Sequence, residues 1–265
     1  MRIPLFPGID RPLVFAHRGL SAAYPENTMK AFKAARDAGI PGIEFDIHLT
    51  ADGKLAVFHD DTTKRIGGSD KEFLVIEAST WDTLSAVDVG GERMPLLDEV
   101  FAEFRTGLLY DIEIKSRTID DKGLERLLAD TIDRFGLRGN CLVSSFNPFA
   151  LRRFKRIRPG IPTAIIWSRS KELYWFLRRG EGRWIAGTDA LKPQSVIFGG
   201  SRPRAAGRIP VLPWVVDDDA EAARVLAAGA SGIISNMPER LRLPSRGYGA
   251  PGEAAAQSRR PVSKP

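Results

Sequence analysis

Two carboxylates, an imidazole and a turn fall at spacings that could do chemistry on a charged substrate. In Gly42 to Asp60, GIEFDIHLTADGKLAVFHD, the first half alternates, so Glu44, Asp46 and His48 share one strand face while Ile43, Phe45 and Ile47 take the other. Ala51-Asp52-Gly53 reads as a tight turn and Lys54 to Phe58 as a returning strand, which brings His59-Asp60 back beside the carboxylates. A strand with only a packing role has no use for two acids on one face, because ionised carboxylates are costly to bury unless paired or bound to a metal. A second run, Leu108 to Lys115, sets Asp111, Glu113 and Lys115 on one face against Ile112 and Ile114. Near the start, the apolar Leu13 to Ala16 empties into His17-Arg18-Gly19.

Glu44, Asp46 and Glu113 offer three oxygen ligands and no softer ones, a set that suits Mg²⁺ or Ca²⁺ better than zinc. The competing reading is a salt-bridged trio held by Lys115 and Arg18. Three acids against two bases still leave an excess that a divalent cation would satisfy. His17 and His59 stand at strand ends next to these acids and can divide the work of general base and general acid, whereas His48 lies further along and takes a supporting place. Arg18 and Lys115 beside a cation make a pocket for a phosphate oxyanion. With no GxxxxGK loop and no GxGxxG after a strand, the chain has no nucleotide cradle, and Gly67-Gly68 reads as a turn.

The elements that must carry these residues alternate. Strands starting at Leu13, Gly42, Leu108, Cys141, Thr163, Ala190, Val211 and Gly232 are separated by helical patterns such as Met29 to Ala38, Leu96 to Phe104, Leu124 to Phe135, Pro148 to Ile157, Lys171 to Arg178 and Asp219 to Ala228. Ala190 to Ile197 is the weakest strand pattern. Eight alternating units predict a parallel sheet closed as a (β/α)₈ TIM barrel. At the C-terminal strand ends that face an active site in such barrels stand His17, Arg18, Glu44, Asp46, Glu113, Lys115 and Trp214.

At 265 residues and 43% apolar composition the chain can build one full core. Its net charge of +6 suggests nucleic acid until it is located: the excess sits in 167–184 and in 245–265, and the remainder is balanced. The expectation is one domain over 1–244 with a disordered basic tail over 245–265, and no nucleic-acid partner. Cys141, the single cysteine, excludes an internal disulfide or cysteine-rich zinc site and reads as a core residue. The N-terminal MRIPLFPGIDRPLVF lacks a signal-peptide run, and eighteen consecutive apolar residues occur nowhere, so a cytoplasmic protein is expected, as a monomer or homodimer.

Taken together, His17-Arg18-Gly19, Glu26-Asn27-Thr28, Glu44-x-Asp46, Asp52-Gly53, His59-Asp60, Glu113-x-Lys115, Ser144-Ser145-Phe146, Trp214 and the closing GIISNMP resemble the glycerophosphodiester phosphodiesterases. The resemblance implies a TIM barrel with a short insertion after the second strand, at about 60–94. It implies a metal on Glu44, Asp46 and Glu113, His17 and His59 as the acid/base pair in either order, and Arg18, Lys115 and Trp214 on the substrate. The reaction implied cuts a glycerophosphodiester to sn-glycerol 3-phosphate and an alcohol, with water or the substrate's own hydroxyl as nucleophile. Two positions depart from the pattern: Trp214-Val215-Val216-Asp217 replaces a Trp-Thr-Val-Asn type segment, and Asn236 stands where the family generally has aspartate. GGSRPRAAG replaces a helix before Ile209 and is expected as a loop. The competing functions are a lysophospholipase D-like activity at a membrane surface, suggested by LYWFL flanked by arginines, and a barrel that binds without turnover.

Overall fold

The computed structural model describes residues 5–6, 8–9, 12–66, 73–170, 177–198 and 209–243. Its elements run β1 (Leu13–His17), α1 (Met29–Asp37), β2 (Gly42–Leu49), β3 (Leu55–Val57), α2 (Trp81–Ser85), α3 (Leu97–Phe104), β4 (Leu109–Ile114) and α4 (Leu124–Phe135). They continue with β5 (Cys141–Ser145), α5 (Pro148–Ile157), β6 (Thr163–Trp167), α6 (Gly182–Ala186), β7 (Ala190–Pro193), α7 (Asp219–Ala227) and β8 (Gly232–Ser235). The sheet order is β7-β6-β5-β4-β2-β1-β8 with every neighbour parallel, and β3 returns antiparallel along β2.

Side-chain alternation divides the interior into layers. Val14 and Ala16 of β1 and Tyr110, Ile112 and Ile114 of β4 pack outward on the helices, while Leu13, Phe15 and Leu109 join Leu142, Ala164, Ala190 and Ile234 in a second, inner cluster. Gly42 belongs to this layer for a steric reason: a Cβ there would come 2.6 Å from the Phe15 ring. Two residues further along β1, β2 and β4 the inward positions turn polar, at His17, Glu44 and Asp111, with Glu113 the next inward position of β4. Apolar filling at one end and charge at the other set the site at the C-terminal strand ends.

The helices follow their local signals. Thr28 caps α1 by accepting the Ala31 amide, Asn147 caps α5 ahead of a proline in its first turn, and α4 stops at Gly136 in the left-handed region. The segment between β3 and α3 carries α2, and its Phe58, Ile76, Leu84, Val89 and Met94 form a separate apolar cluster with Ala56 of β3. Cys141 is buried as expected, and burial pushes its thiol up, which leaves it inert.

Two strand expectations need correction. Ala190 to Ile197 is strand only to Pro193, after which Ser195–Ile197 forms a single 3₁₀ turn. Val211 to Val216 is not a regular strand: Pro210 and Pro213 carry no N–H for a ladder, and isolated parallel bridges pair Leu191 with Val211 and Gln194 with Trp214. This segment donates Leu212 N to Leu191 O at 2.8 Å on one side and Val216 N to Ile234 O at 2.9 Å on the other. Among the described residues the regular parallel path therefore has seven strands and open edges at β7 and β8, an α/β half-barrel, where eight strands in a closed barrel are expected from the sequence. Residues 171–176 of the expected Lys171 to Arg178 helix, the GGSRPRAAG segment and the 245–265 tail lie outside the described residues. No helix among the described residues is long and apolar enough to cross a membrane.

Candidate active site

The β2–β4 register places Glu44 beside Asp111 and Asp46 beside Glu113, so four carboxyls stack on the concave face, all buried. Glu44, Asp46 and Glu113 each bring one oxygen within 4.8 Å of the others. Lys115, one step past β4, sets its ammonium 3.0 Å from Asp46 Oδ1 and 2.8 Å from Glu113 Oε1. Asp46 Oδ2 accepts Asn27 Nδ2 at 2.9 Å and lies 3.5 Å from Arg18 Nε. From the far side of the interior Lys192 of β7, 1% exposed, reaches Asp111 Oδ2 at 2.7 Å and Glu44 Oε1 at 3.7 Å, and donates to Ser144 Oγ at 2.9 Å.

Four carboxyls thus face three cations, Arg18, Lys115 and Lys192. The surplus settles on Glu44: burial, with Asp46, Asp111 and Glu113 adding and Lys192 opposing, pushes its carboxyl up to about 8. Asp46 takes the opposite course. Burial works against its charge, but Lys115, His59, Arg18 and the Asn27 amide outweigh it and hold the group well below the usual carboxylate range. Burial would also neutralise Lys192, yet Asp111, Glu44 and Glu113 keep it charged. Hard oxygen donors, burial and one uncompensated negative charge are what a divalent cation requires, so Glu44, Asp46 and Glu113 fit such an ion.

His17 and His59 flank this cluster. His17 Nδ1 faces Asn236 Oδ1 at 2.7 Å, and its Nε2 lies 3.9 Å from Glu44 Oε2. Asn236 donates Nδ2 to Asp217 Oδ2 at 2.6 Å; a carboxylate cannot donate, so the amide oxygen must be the atom turned to His17. Nδ1 therefore carries the imidazole proton, and Nε2 is the basic nitrogen. Burial, and next the charge of Arg18, hold His17 down to about 4, which keeps it neutral at pH 7. On the other side His59 Nδ1 is 2.5 Å from Asp60 Oδ1. His48 has the expected supporting place: it is buried and its Nε2 lies 3.3 Å from the His59 carbonyl oxygen. Trp214 packs edge-on against Phe146 and donates Nε1 to Lys192 O at 2.9 Å. His17, Arg18, Glu44, His59, Glu113, Lys115 and Trp214 line one cavity of about 1280 Å³, and Asp46 lies buried beneath it. Common small-molecule pockets hold roughly 300–1,000 Å³, so there is room for a headgroup beyond a phosphate.

The Glycerophosphoryl diester phosphodiesterase family model matches residues 17–240, a span that includes every one of these side chains. The chain belongs to that family. A glycerophosphodiester phosphodiesterase of Caldanaerobacter subterraneus subsp. tengcongensis is 32% identical over 239 residues, 87% of this chain and 96% of that protein, and one of Bacillus altitudinis is 31% identical over 86% and 95%. Among solved structures, the putative glycerophosphoryl diester phosphodiesterase of Silicibacter pomeroyi DSS-3 superposes with TM-score 0.75 at 21% identity, covering 88% of this chain and 92% of that one. An Oleispira antarctica phosphodiesterase in complex with the product sn-glycerol-3-phosphate superposes with TM-score 0.68 at 25% identity, covering 87% and 95%.

The two departures noted in the sequence prove to touch each other. Asp217 and Asn236 pair as carboxylate and amide: Asn236 donates its backbone N–H to Asp217 Oδ1 at 2.8 Å and its Nδ2 to Asp217 Oδ2 at 2.6 Å. Sequence reasoning missed Lys192, whose one polar side chain in the short ALKP strand was the available signal, and it left Asp111 without a role.

Two predictions follow from the charge arrangement. Lys192→Met strands Asp111 as an unpaired buried charge and is expected to cost about 3–5 kcal/mol in a urea melt, with Asp111→Leu in the same chain recovering most of the loss. A double variant no more stable than the single one would show the pair to be unimportant. Because the Glu44 carboxyl holds its proton to about pH 8, cation uptake at pH 7 is expected to release roughly one proton and to tighten as pH rises. A carboxyl pKa raised on folding also makes the cation-free protein less stable as pH climbs from 6.5 to 8, a window in which His17, lowered on folding, no longer contributes slope. Titration calorimetry in two buffers of different ionisation enthalpy measures the proton, and identical heats would exclude it.

Proposed function

We propose that the chain hydrolyses glycerophosphodiesters to sn-glycerol 3-phosphate and an alcohol with His17 as general base, His59 as general acid, and Mg²⁺ or Ca²⁺ on Glu44, Asp46 and Glu113. The observation that carries this reading is that Glu44, Glu113 and both imidazoles line one cavity, with Asp46 buried beneath it and one oxygen of each of the three carboxylates within 4.8 Å of the others. A divalent cation bound there would supply Lewis-acid neutralisation of a non-bridging phosphate oxygen. Arg18 and Lys115 bind the phosphate: Lys115 has a third N–H beyond the two held by Asp46 and Glu113, and Arg18 has donors beyond those held by Glu26 and Asp46.

His17 Nε2 takes the proton of the attacking hydroxyl, supplied by water or by the glycerol's own 2-hydroxyl. The new P–O bond forms as the bond to the alcohol breaks, and His59 Nε2 gives its proton to the departing oxygen. Attack by water yields glycerol 3-phosphate directly, whereas attack by the 2-hydroxyl yields a five-membered cyclic phosphate that a water then opens, His59 taking the water's proton and His17 returning its own to the 2-oxygen. Trp214 and Phe146 form an aromatic wall beside the reacting centre. Ile119 and Phe149, both exposed on the same cavity, favour a second reading in which lysophospholipids are also taken. We further propose that Val211 to Val216, bonded to β7 and β8 on its two sides, completes a (β/α)₈ barrel around the site.

Release of glycerol 3-phosphate from glycerophosphocholine and glycerophosphoethanolamine, with Mg²⁺, with Ca²⁺ and with EDTA, tests the reaction; lysophosphatidylcholine in the same assay tests the second reading. Metal-dependent release is expected, with His17→Ala and His59→Ala each lowering kcat about 10²- to 10⁴-fold while the fold is kept. Undiminished activity in either variant would remove that histidine from its role. Closure of the barrel predicts slow amide exchange at Leu212, Trp214 and Val216; exchange at loop rates would leave the sheet open.

A further inference from the structure

Five side chains form an unbroken run of ion pairs along the cavity wall. Arg18 Nη1 donates to Glu26 Oε1 at 2.9 Å, and the same carboxylate takes the Arg65 fork, Nη2 on Oε1 at 2.6 Å and Nη1 on Oε2 at 3.2 Å. Arg65 Nε then donates to Asp60 Oδ2 at 2.6 Å, and Asp60 Oδ1 meets His59 Nδ1 at 2.5 Å. The run begins on the loop after β1 and ends on the loop after β3. Arg65 stands at its centre with all three guanidinium nitrogens turned to carboxylates.

Partly exposed ion pairs add little to folding stability, so stability does not account for four of them in series. Geometry does. A carboxylate held at one oxygen can swing about its stem, whereas Asp60 is held at both, one by Arg65 and one by the imidazole. That leaves the His59 ring one orientation, with Nδ1 occupied and Nε2 as the nitrogen available to the cavity it lines. The bidentate grip on Glu26 fixes Arg65 itself, and the planar fork that makes it cannot be reproduced by lysine.

We propose that Arg65 is a positioning residue for leaving-group protonation, which clamps Asp60 and Glu26 so that His59 and Arg18 are held in register with the departing oxygen. It rests on His59 acting as the acid, as proposed above. An alkoxide needs a proton as it leaves, and a p-nitrophenolate does not, so a residue that acts through the acid affects the two leaving groups unequally.

The test compares the wild type with Arg65→Gln and Arg65→Lys on glycerophosphoethanolamine and on glycerol p-nitrophenyl phosphate, which share the glycerol phosphate and differ in what departs. Arg65→Gln is expected to lower kcat about 10- to 100-fold on the ethanolamine ester and less than about threefold on the p-nitrophenyl ester, with KM nearly unchanged, and Arg65→Lys to recover only part of the loss. Equal losses on both esters, or none on either, overturn the proposal. A second readout does not depend on turnover: ¹⁵N spectra of the His59 ring in its neutral form should show an Nδ1–H tautomer in the wild type and a mixture in Arg65→Gln. An unchanged tautomer overturns the clamp. A wild type that cleaves neither ester while the tautomer shifts would overturn the functional reading and leave the clamp standing.

Discussion

A single surplus negative charge, buried where β2 runs beside β4, governs how the rest of the site is arranged. The register that sets Glu44 by Asp111 and Asp46 by Glu113 brings four carboxyls into a space where water cannot screen them. Lys192 approaches from the floor and Lys115 from the rim, and Arg18 closes the third side. Because three cations do not balance four acids, one position is left to be filled by either a proton or a metal ion, and Glu44 is where the two compete. Lys115 and Arg18 engage the acids without cancelling their charge.

Around that centre each of the two imidazoles proposed as acid and base is oriented by a polar partner. Asn236 turns its amide oxygen to His17 because Asp217 claims the amide nitrogen. Asp60 does the corresponding work for His59. With a neutral amide next to it, the half-buried His17 meets no carboxylate at Nδ1.

Much of this was legible in the sequence. Period-two alternation in GIEFDIHL and LLYDIEIK placed the acids on one face, and the turn at Ala51-Asp52-Gly53 returned His59 to them. Two things were not legible, for different reasons. Lys192 projects from a four-residue strand too short to show a period, and its partner Asp111 lies 81 positions earlier in the chain, so nothing local announces the pair. Val211 to Val216 has the composition of a strand, but its prolines remove ladder donors, and composition does not reveal where a missing N–H will fall relative to a neighbour.

The hairpin of β2 and β3 carries one more consequence. Glu44, Asp46 and His59 ride on a single short piece of chain that folds back on itself through Ile47–Val57, His48–Ala56 and Leu49–Leu55 pairing. The distance between two of the acidic groups and one imidazole is thus set inside one hairpin rather than across the sheet. Small shifts of the outer helices would leave that spacing untouched. Such a unit behaves as a cartridge, carrying its spacing of acids and imidazole with it wherever the hairpin sits.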